Sequence, residues 1–474
     1  MPRPSAALAA LAATLILGLG GCGSNPAGPA ITAEDRAQAA EQHPRVLGEL
    51  GGAYEGEEAA YVAHVGEKVA KAAGLAGVCR FTVVNTDVVN AFAVPGCYIY
   101  VTRGLLAIVN SEGELASVLG HEIGHVAGNH SNEQMKRSLL RTLGVIAVSA
   151  ITGSDRLTQL AGNAAQFFDL KYSRTHEYEA DDLGLGYLRK AGYDPYAAPD
   201  MLAALDRSGK FQEGGDAQRI PEWQLTHPLT ENRIARARDA AKKTGLKPDT
   251  LPEYEREYLS HLDGLLFGDD PEQGFVFGRR FAHPTMRIAF EAPQGFRLTN
   301  SPQAVLIDGP DGLRGEFAGG PLPPGGLEDY AERLLQATAG QGVEIVSSQP
   351  GEANGVPMLV VEANAQGRDG PVPIRVAVYQ GPGDAAYHFL LLAPPAAQAG
   401  ALTLFRSFHG LGDADVAALK PRFVRVVRAA PADTAASLAR RVVDDRPADL
   451  LRMLNGWDAG SPVRPGASIK LVTR

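Results

Sequence analysis

Cysteine, tryptophan and long apolar runs are all scarce in this chain, which holds three cysteines and two tryptophans in 474 residues. So few cysteines exclude a small disulfide-built scaffold. Basic charge is in deficit as well. With 45 Lys and Arg against 54 Asp and Glu, the formal net charge is −9, which argues against a nucleic-acid binder; no nucleic acid is expected among its partners. No apolar run reaches the ~20 residues that a membrane-spanning helix needs. One runs from Ala6 to Gly21 and is broken by Thr14; another, Leu143 to Ile151, is shorter still and reads as a buried helix.

What is present starts with the amino terminus. Arg3, the first apolar run and the ending Leu19-Gly20-Gly21-Cys22 read as a secretory leader over residues 1–21. Small residues just ahead of a cysteine resemble the bacterial lipoprotein processing box, which makes Cys22 the lipidated first residue of the mature chain. By the same analogy Gly23, in place of Asp, leans towards the outer membrane. Removing a leader whose only charged side chain is Arg3 takes the net charge from −9 to −10. With Cys22 lipidated, Cys79 and Cys97 remain as an even pair in an oxidising compartment, and a disulfide between them is expected. Residues 22–32, rich in Gly, Pro, Ser and Ala, have the composition of a tether.

Helical patterning begins near Ala33. Two β-rich runs, Phe81 to Val84 and Tyr98 to Val101, predict neighbouring strands joined through Asn90-Ala91-Phe92-Ala93-Val94-Pro95-Gly96. Ser111 with Glu114 three residues on is a capping-box signature, and Leu115, Val118 and Leu119 follow at helical spacing. Further helices are expected over 133–152, 156–170, 175–191 and 230–243. After Phe267 the texture turns to Gly, Pro and short strands, at Met286 to Phe290, Ala304 to Ile307, Met358 to Glu362, Ile374 to Tyr379 and His388 to Leu392. One amphipathic helix, Leu327 to Leu335, interrupts them.

The chemistry concentrates in His121-Glu122-Ile123-Gly124-His125. On a helix, residues four apart share a face, so both imidazoles can present nitrogens to one ion. Catalytic zinc takes three protein ligands and keeps a position open for water. Glu177, in Ser173-Arg174-Thr175-His176-Glu177-Tyr178-Glu179-Ala180-Asp181, is the expected third; His176 and Glu179 are the competing choices on other faces of that helix. Asp181, one turn after Glu177, is placed to accept a hydrogen bond from a ligand histidine, His121, and fix its tautomer. Glu122, beside a ligand but directed at the water, is the expected general base. His130 lies nine residues from His121, half a turn out of phase, and reads as a structural histidine. His43, His64, His261, His283, His388 and His409 lack any partner pattern and read the same way.

Taken in order, Asn90 to Ala93 with Pro95-Gly96, His121 to His125, Glu177 to Asp181 and Thr226-His227-Pro228-Leu229 to Arg233 resemble the HtpX and BepA type of zinc metallopeptidase. That family also contains the CAAX prenyl endopeptidases and the mitochondrial Oma protease. The likeness covers about residues 35 to 265. It departs in lacking multiple membrane spans and a helical-repeat tail, and in placing Cys97 where a second Gly is usual. The resemblance implies one Zn2+ per chain and a polypeptide substrate. It nominates His227 as oxyanion donor with Arg233 as supporting cation; a latent fourth zinc ligand and a capping histidine in a His-Pro turn are the other readings of His227. The strand near Tyr98 to Val101, with Asn90, Ala91 and Phe92 beside it, is expected to offer an edge to an extended substrate.

Two further resemblances complete the chain. Ala289 to Phe296 and Ser407-Phe408 resemble the start and end of PsbP-like domains. Asp433-Thr434, Leu438-Ala439, Leu454-Asn455-Gly456, Pro465-Gly466 and Ile469-Lys470-Leu471 resemble a LysM module, whose βααβ fold binds N-acetylglucosamine-containing glycans, although Ala432 stands where Gly is usual.

The expected fold class is therefore α+β. A mostly helical gluzincin-type peptidase domain with a small sheet spans 33–266, an α+β (PsbP-like) accessory domain 280–415, and a LysM-like module 422–474. The expected function is that of a zinc metalloendopeptidase, lipid-anchored at the periplasmic face of the outer membrane, cutting misfolded or misassembled envelope proteins. Its expected partners are polypeptides, the membrane through its lipid, and peptidoglycan through residues 422–474. An envelope chaperone with little proteolysis and a peptidoglycan-directed hydrolase are the alternatives. An intact Glu122 argues against the first, and the ligand spacing against the second. The leader is directly testable: Cys22→Ser should release the protein from membranes, and mass spectrometry showing an unmodified mature amino terminus would refute lipidation.

Overall fold

A computed structural model describes residues 31–130, 172–214, 223, 226–227, 231–339, 342–367 and 370–474. The leader, Cys22 and the helices expected over 133–152 and 156–170 lie outside the described residues.

Helix α1 (Ala33–Glu49) starts at Thr32, whose hydroxyl accepts from Asp35 N at 3.0 Å while the Asp35 carboxylate accepts from Thr32 N at 2.9 Å. Helix α2 (Glu57–Ala72) leads into a three-stranded sheet of β1 (Arg80–Val84), β2 (Ala91–Val94) and β3 (Tyr98–Thr102), in spatial order β1-β3-β2. Strands β1 and β3 are parallel neighbours, with Phe81 opposite Ile99. The segment between them in sequence adds the strand β2, antiparallel to β3 with Ala93 opposite Ile99. So β3 is hydrogen-bonded on both sides and offers no edge, contrary to the sequence expectation; β1 and β2 are the outer strands, and β1 is bridged on its far side by Ala53. Because alternate side chains point to opposite faces, Phe92, Val94 and Tyr100 join Ala39, Val46 and Leu50 of α1, while Ala91, Ala93, Ile99 and Val101 enter the main core with Val62, Val65 and Val69 of α2.

Cys79 and Cys97 form a disulfide with Cα atoms 4.6 Å apart. It ties the residue before β1 to the β2–β3 turn, where Arg80 N also donates to Cys97 O at 2.8 Å. Both Gly96 and Cys97 have left-handed backbone, with φ of 89° and 63°. That explains why glycine suits this position and why a cysteine here is unusual.

Then come α3 (Arg103–Ile108), α4 (Glu112–Ala127), α5 (Arg174–Lys190), α6 (Ala197–Glu213), α7 (Glu231–Lys243), α8 (Glu255–Leu262) and the short strand β4 (Leu266–Phe267). The accessory region is built on two sheets. One is ordered β15-β7-β6-β5, from β5 (Phe275–Phe277), β6 (Arg280–His283), β7 (Ile288–Glu291) and β15 (His409–Gly410). The other has seven strands ordered β11-β12-β13-β14-β10-β9-β8, from β8 (Arg297–Asn300), β9 (Val305–Asp308), β10 (Arg314–Pro321), β11 (Val343–Ala353), β12 (Val356–Gly367), β13 (Gly370–Gln380) and β14 (Ala385–Leu392). Helix α9 (Gly326–Ala339) buries Leu334 and Leu335 with Val361, Val376 and Leu390, while Leu404 and Phe405 of α10 (Gln398–Ser407) join Phe290, Phe317 and Phe389 in a second cluster.

After the short α11 (Asp413–Ala418), the chain ends in β16 (Arg422–Arg428), α12 (Ala435–Ala439), α13 (Pro447–Asn455) and β17 (Ser468–Thr473). These residues share one continuous apolar core with the helices of the first 262 residues. Strand β16 pairs with β17 on one side and with β4 on the other. Among the described residues, no helix is long and apolar enough to cross a membrane.

The left-handed turn gives a stability prediction. In a Cys79→Ser background, which removes the disulfide, glycine at position 97 should be more stable than alanine there by about 1 kcal/mol. Equal urea midpoints for Cys79→Ser/Cys97→Gly and Cys79→Ser/Cys97→Ala would remove the strain argument.

Candidate metal centre

The metal helix α4 begins where the sequence places it. Ser111 caps it, its Oγ accepting from Glu114 N at 3.0 Å, while the Glu114 carboxylate accepts from Asn110 N at 2.7 Å. Helix α5 is capped by Ser173, which accepts from His176 N at 3.2 Å and leaves Glu177 in the first turn, where the helix dipole favours a carboxylate. The two helices approach through glycines. A Cβ on Gly124 would lie 2.7 Å from Ala180 O, one on Gly184 2.9 Å from His121 N, and one on Gly120 3.1 Å from Gly184 O. Only that closeness brings Glu177 of one helix to the histidines of the other.

The result is a buried cluster of His121, His125, Glu177 and His227, each offering one ligand atom, all within 4.8 Å of one another. The Nε2 atoms of His121 and His125 are 3.0 Å apart. His125 Nε2 lies 3.4 Å and His227 Nδ1 3.0 Å from Glu177 Oε1, and His121 Nε2 lies 3.4 Å from His227 Nδ1. Imidazole nitrogens converging on a carboxylate at these separations fit the first shell of one zinc, whose bonds to N and O are about 2.0–2.2 Å. Glu177 is 1% exposed. Of its two competitors, Glu179 is exposed and Nε2 of His130 lies 3.4 Å from its carboxylate, while the His176 ring stacks on His130 with centroids 4.3 Å apart.

The outer nitrogens of both helix histidines are occupied. His121 Nδ1 is 3.0 Å from Asp181 Oδ1. His125 Nδ1 is 3.0 Å from His130 Nδ1. Reading His130 as a site residue eludes a periodicity argument because the helix does not continue. It stops at Ala127, Asn129 turns left-handed at φ 58°, and His130 folds back over the last turn. The Gly128-Asn129 pair is the sequence signal for that stop. Two rings flank the donors, Tyr172 stacked on His125 at 3.9 Å and Trp223 on His227 at 4.4 Å; neither was singled out by the sequence pattern.

Arg233, from α7, is fully buried and forks between carboxylates: Nη1 lies 2.7 Å from Glu177 Oε2, and Nη2 and Nε donate to Asp181 at 2.7 and 3.0 Å. Its charge is thereby committed to the ligand and its neighbour. Burial works to raise the pKa of Glu177, but His227, His125 and Arg233 outweigh it and hold the carboxyl well below the usual range. Asp181 is likewise held low against the burial penalty, by Arg233 first and then His121. Glu122 differs. It is 0% exposed, burial raises its pKa, and neither oxygen has a hydrogen-bond partner among the described residues, with His227 Nε2 3.8 Å from Oε1. Asn90, 0% exposed just before β2, also leaves both side-chain polar atoms without a partner among the described residues, and Ala91 and Phe92 follow it on the sheet edge. Beside His121 and Arg233 a small cavity is lined by Val118, Leu185, Met201, Leu202 and Trp223.

A paired-histidine helix, a glutamate from a second helix and an uncommitted glutamate beside them define a metallopeptidase. Residues 57–241 match the model of Peptidase family M48. Metalloprotease YcaL of Escherichia coli is 35% identical over 181 residues, which is 36% of this chain and 67% of that protein. The chain belongs to peptidase family M48. It is also 32% identical over 190 residues to the Beta-barrel assembly-enhancing protease of Escherichia coli, covering 38% of each chain. A third relative, the Mitochondrial metalloendopeptidase OMA1 of Arabidopsis thaliana, is 37% identical over 151 residues, 32% of this chain and 29% of that one. The chain thus spans little more than a third of the assembly-enhancing proteases that it matches. Among solved structures, cyanobacterial PsbP from Synechocystis matches over 98% of its own length and 30% of this chain, at 15% identity and a TM-score of 0.24.

The two layers of the site make separable predictions. Glu177→Ala or His125→Ala should abolish zinc binding, whereas His130→Ala should weaken it by about 10- to 100-fold, the usual cost of losing a group that orients a ligand. Chelator competition measures both, and unchanged affinity in His130→Ala would show that the ring merely packs.

Proposed function

We propose that this chain is a zinc-dependent endopeptidase of the bacterial cell envelope, acting on misfolded or misassembled envelope proteins. The observation that carries the reading is the buried Glu122 carboxylate, free of hydrogen bonds among the described residues and set beside a four-donor metal cluster. Zinc held by His121, His125 and Glu177 would polarise the scissile carbonyl and lower the pKa of a water towards ~7. Glu122 accepts the proton of the attacking water and returns it to the departing amine. Asp181 and His130 hold the ligand histidines in one tautomer, and Arg233 keeps Glu177 and Asp181 ionised and in place. The segment Asn90 to Phe92 runs beside an extended peptide, Asn90 adds an amide for the peptide backbone, and the cavity beside His121 takes an apolar side chain next to the cut bond. Backbone reading of this kind suits unfolded polypeptide of mixed sequence. The leader and Cys22 support the envelope location and a lipid anchor, the relatives named for β-barrel assembly support the substrate class, and the motif order of residues 422–474 supports a contact with peptidoglycan.

His227 takes the part of a fourth donor. The argument for an oxyanion role leaned on a free Arg233 beside it, and Arg233 is bound to Glu177 and Asp181. His227 Nδ1 instead sits among the ligand atoms. A closed shell of four protein donors is the hallmark of a resting site, so His227 acts as a removable latch.

Glu122→Gln should retain zinc, lose cleavage of unfolded casein and trap uncut polypeptides from envelope extracts. Undiminished cleavage by this variant would sink the mechanism, and wild-type protein that binds casein without cutting it would favour a chaperone. His227→Ala should raise basal turnover with zinc retained; a loss of about a hundredfold or more would restore the oxyanion role.

A further inference from the structure

The unit formed by β16, α12, α13 and β17 is seated on the peptidase domain at several points. Strand β16 continues the backbone ladder of the 264–267 segment, with Val424 N donating to Leu265 O at 2.8 Å and Gly264 N to Val424 O at 2.9 Å. Arg446 donates to Phe211 O at 2.7 Å, at the end of α6. The deepest contact is Lys470, in β17. This lysine is 1% exposed, and its Nζ donates to the backbone carbonyls of Ala107 at 2.8 Å and Val109 at 2.7 Å. Its own backbone is pinned as well, because the Asn455 side chain accepts from Lys470 N at 2.8 Å and donates to Lys470 O at 2.9 Å.

Those two carbonyls belong to the joint between α3 and α4. The same short joint holds Asn110, which donates to Glu114, and Ser111, which caps the metal helix and donates to Glu253 at 3.0 Å. Glu253 O also accepts from Gly113 N at 3.0 Å. Burial pushes Lys470 down to about 7 and Glu114 up to about 7, while the attraction between them opposes both shifts. A buried ammonium is costly unless acceptors surround it, and the acceptors here are the end of one helix and the approach to the next.

We propose that Lys470 is a positioning residue for the metal centre: by holding the α3–α4 joint it fixes where the metal helix starts, and so the direction in which His121, Glu122 and His125 project. The proposal rests on the metallopeptidase reading of that centre. Ten residues separate Ser111 from His121, a lever of ~15 Å at the helical rise, so a tilt of about 4° at the joint moves the donors by about 1 Å. Displacement of that size is enough to cost about a hundredfold in turnover.

The test uses the full-length, zinc-loaded protein with Lys470→Met, and Arg446→Met as a control that loosens the same unit away from the joint. Lys470→Met should lower kcat for casein about 10- to 100-fold with KM within about twofold. It should also raise amide exchange at residues 110–116 at least tenfold, leave residues 356–380 as protected as before, and speed zinc loss to a chelator. Arg446→Met should leave kcat and exchange at 110–116 unchanged. Should Lys470→Met not fold, Lys470→Gln, which keeps a donor on a shorter arm, should give the same signs with smaller amplitude. Equal kcat losses in the Lys470 and Arg446 variants, or unchanged exchange and zinc loss in the Lys470 variants, overturn the proposal. Failure of the wild-type protein to cut any peptide would count against the metallopeptidase reading alone, since exchange and zinc loss still report on the joint.

Discussion

The glycine contact between α4 and α5 is the constraint on which the rest of the site depends. Neither helix can build a metal centre alone, because the pair of histidines on one face of α4 needs a carboxylate from outside the helix. Gly120, Gly124 and Gly184 let the backbones come close enough for Glu177 to supply it, and a single methyl at any of them would meet backbone atoms of the facing helix. Arg233 then closes the arrangement from α7, and its fork onto two carboxylates makes burial of both sustainable. Removing the arginine would leave the two buried carboxylates without the cation that bridges them.

Much of this centre was legible in the residues. The helical spacing of His121 and His125, the pattern of Glu177 and Asp181 and the cap at Ser111 are local signals, and local geometry decides them. The phase of His130 along the sequence tells nothing of the partner it meets, because the helix ends at Ala127 and the ring lies against His125, a contact that fits its reading as a structural histidine. Arg233 reads from the sequence as a cation supporting His227, because sequence order shows that it follows His227 but not that it meets Asp181, 52 positions away. Tyr172 and Trp223 carry no motif at all; their place at the site shows in the histidine rings on which they stack.

The strands divide in the same way. Met358 to Glu362, Ile374 to Tyr379 and His388 to Leu392 announce themselves as short apolar, β-rich runs and sit inside β12, β13 and β14. Strand β10 is broken by Gly315, Gly319 and Gly320, and β11, at the sheet edge, is exposed along most of its length with Pro350 and Gly351 in its middle. Such strands exist because their neighbours pair with them, and pairing partners are not written in the segment itself. The same holds for β2, which looked like a connection until β3 took it as a partner.

The contact between Lys470 and the α3–α4 joint joins residues 363 positions apart, with the whole accessory region made in between. Contacts of such long range close late, because the entropy of so large a loop must first be overcome. During synthesis the chain therefore carries its metal helix for some time before β17 is made. The order of residues along the polypeptide thus sets the order in which the surroundings of the metal helix become available to it.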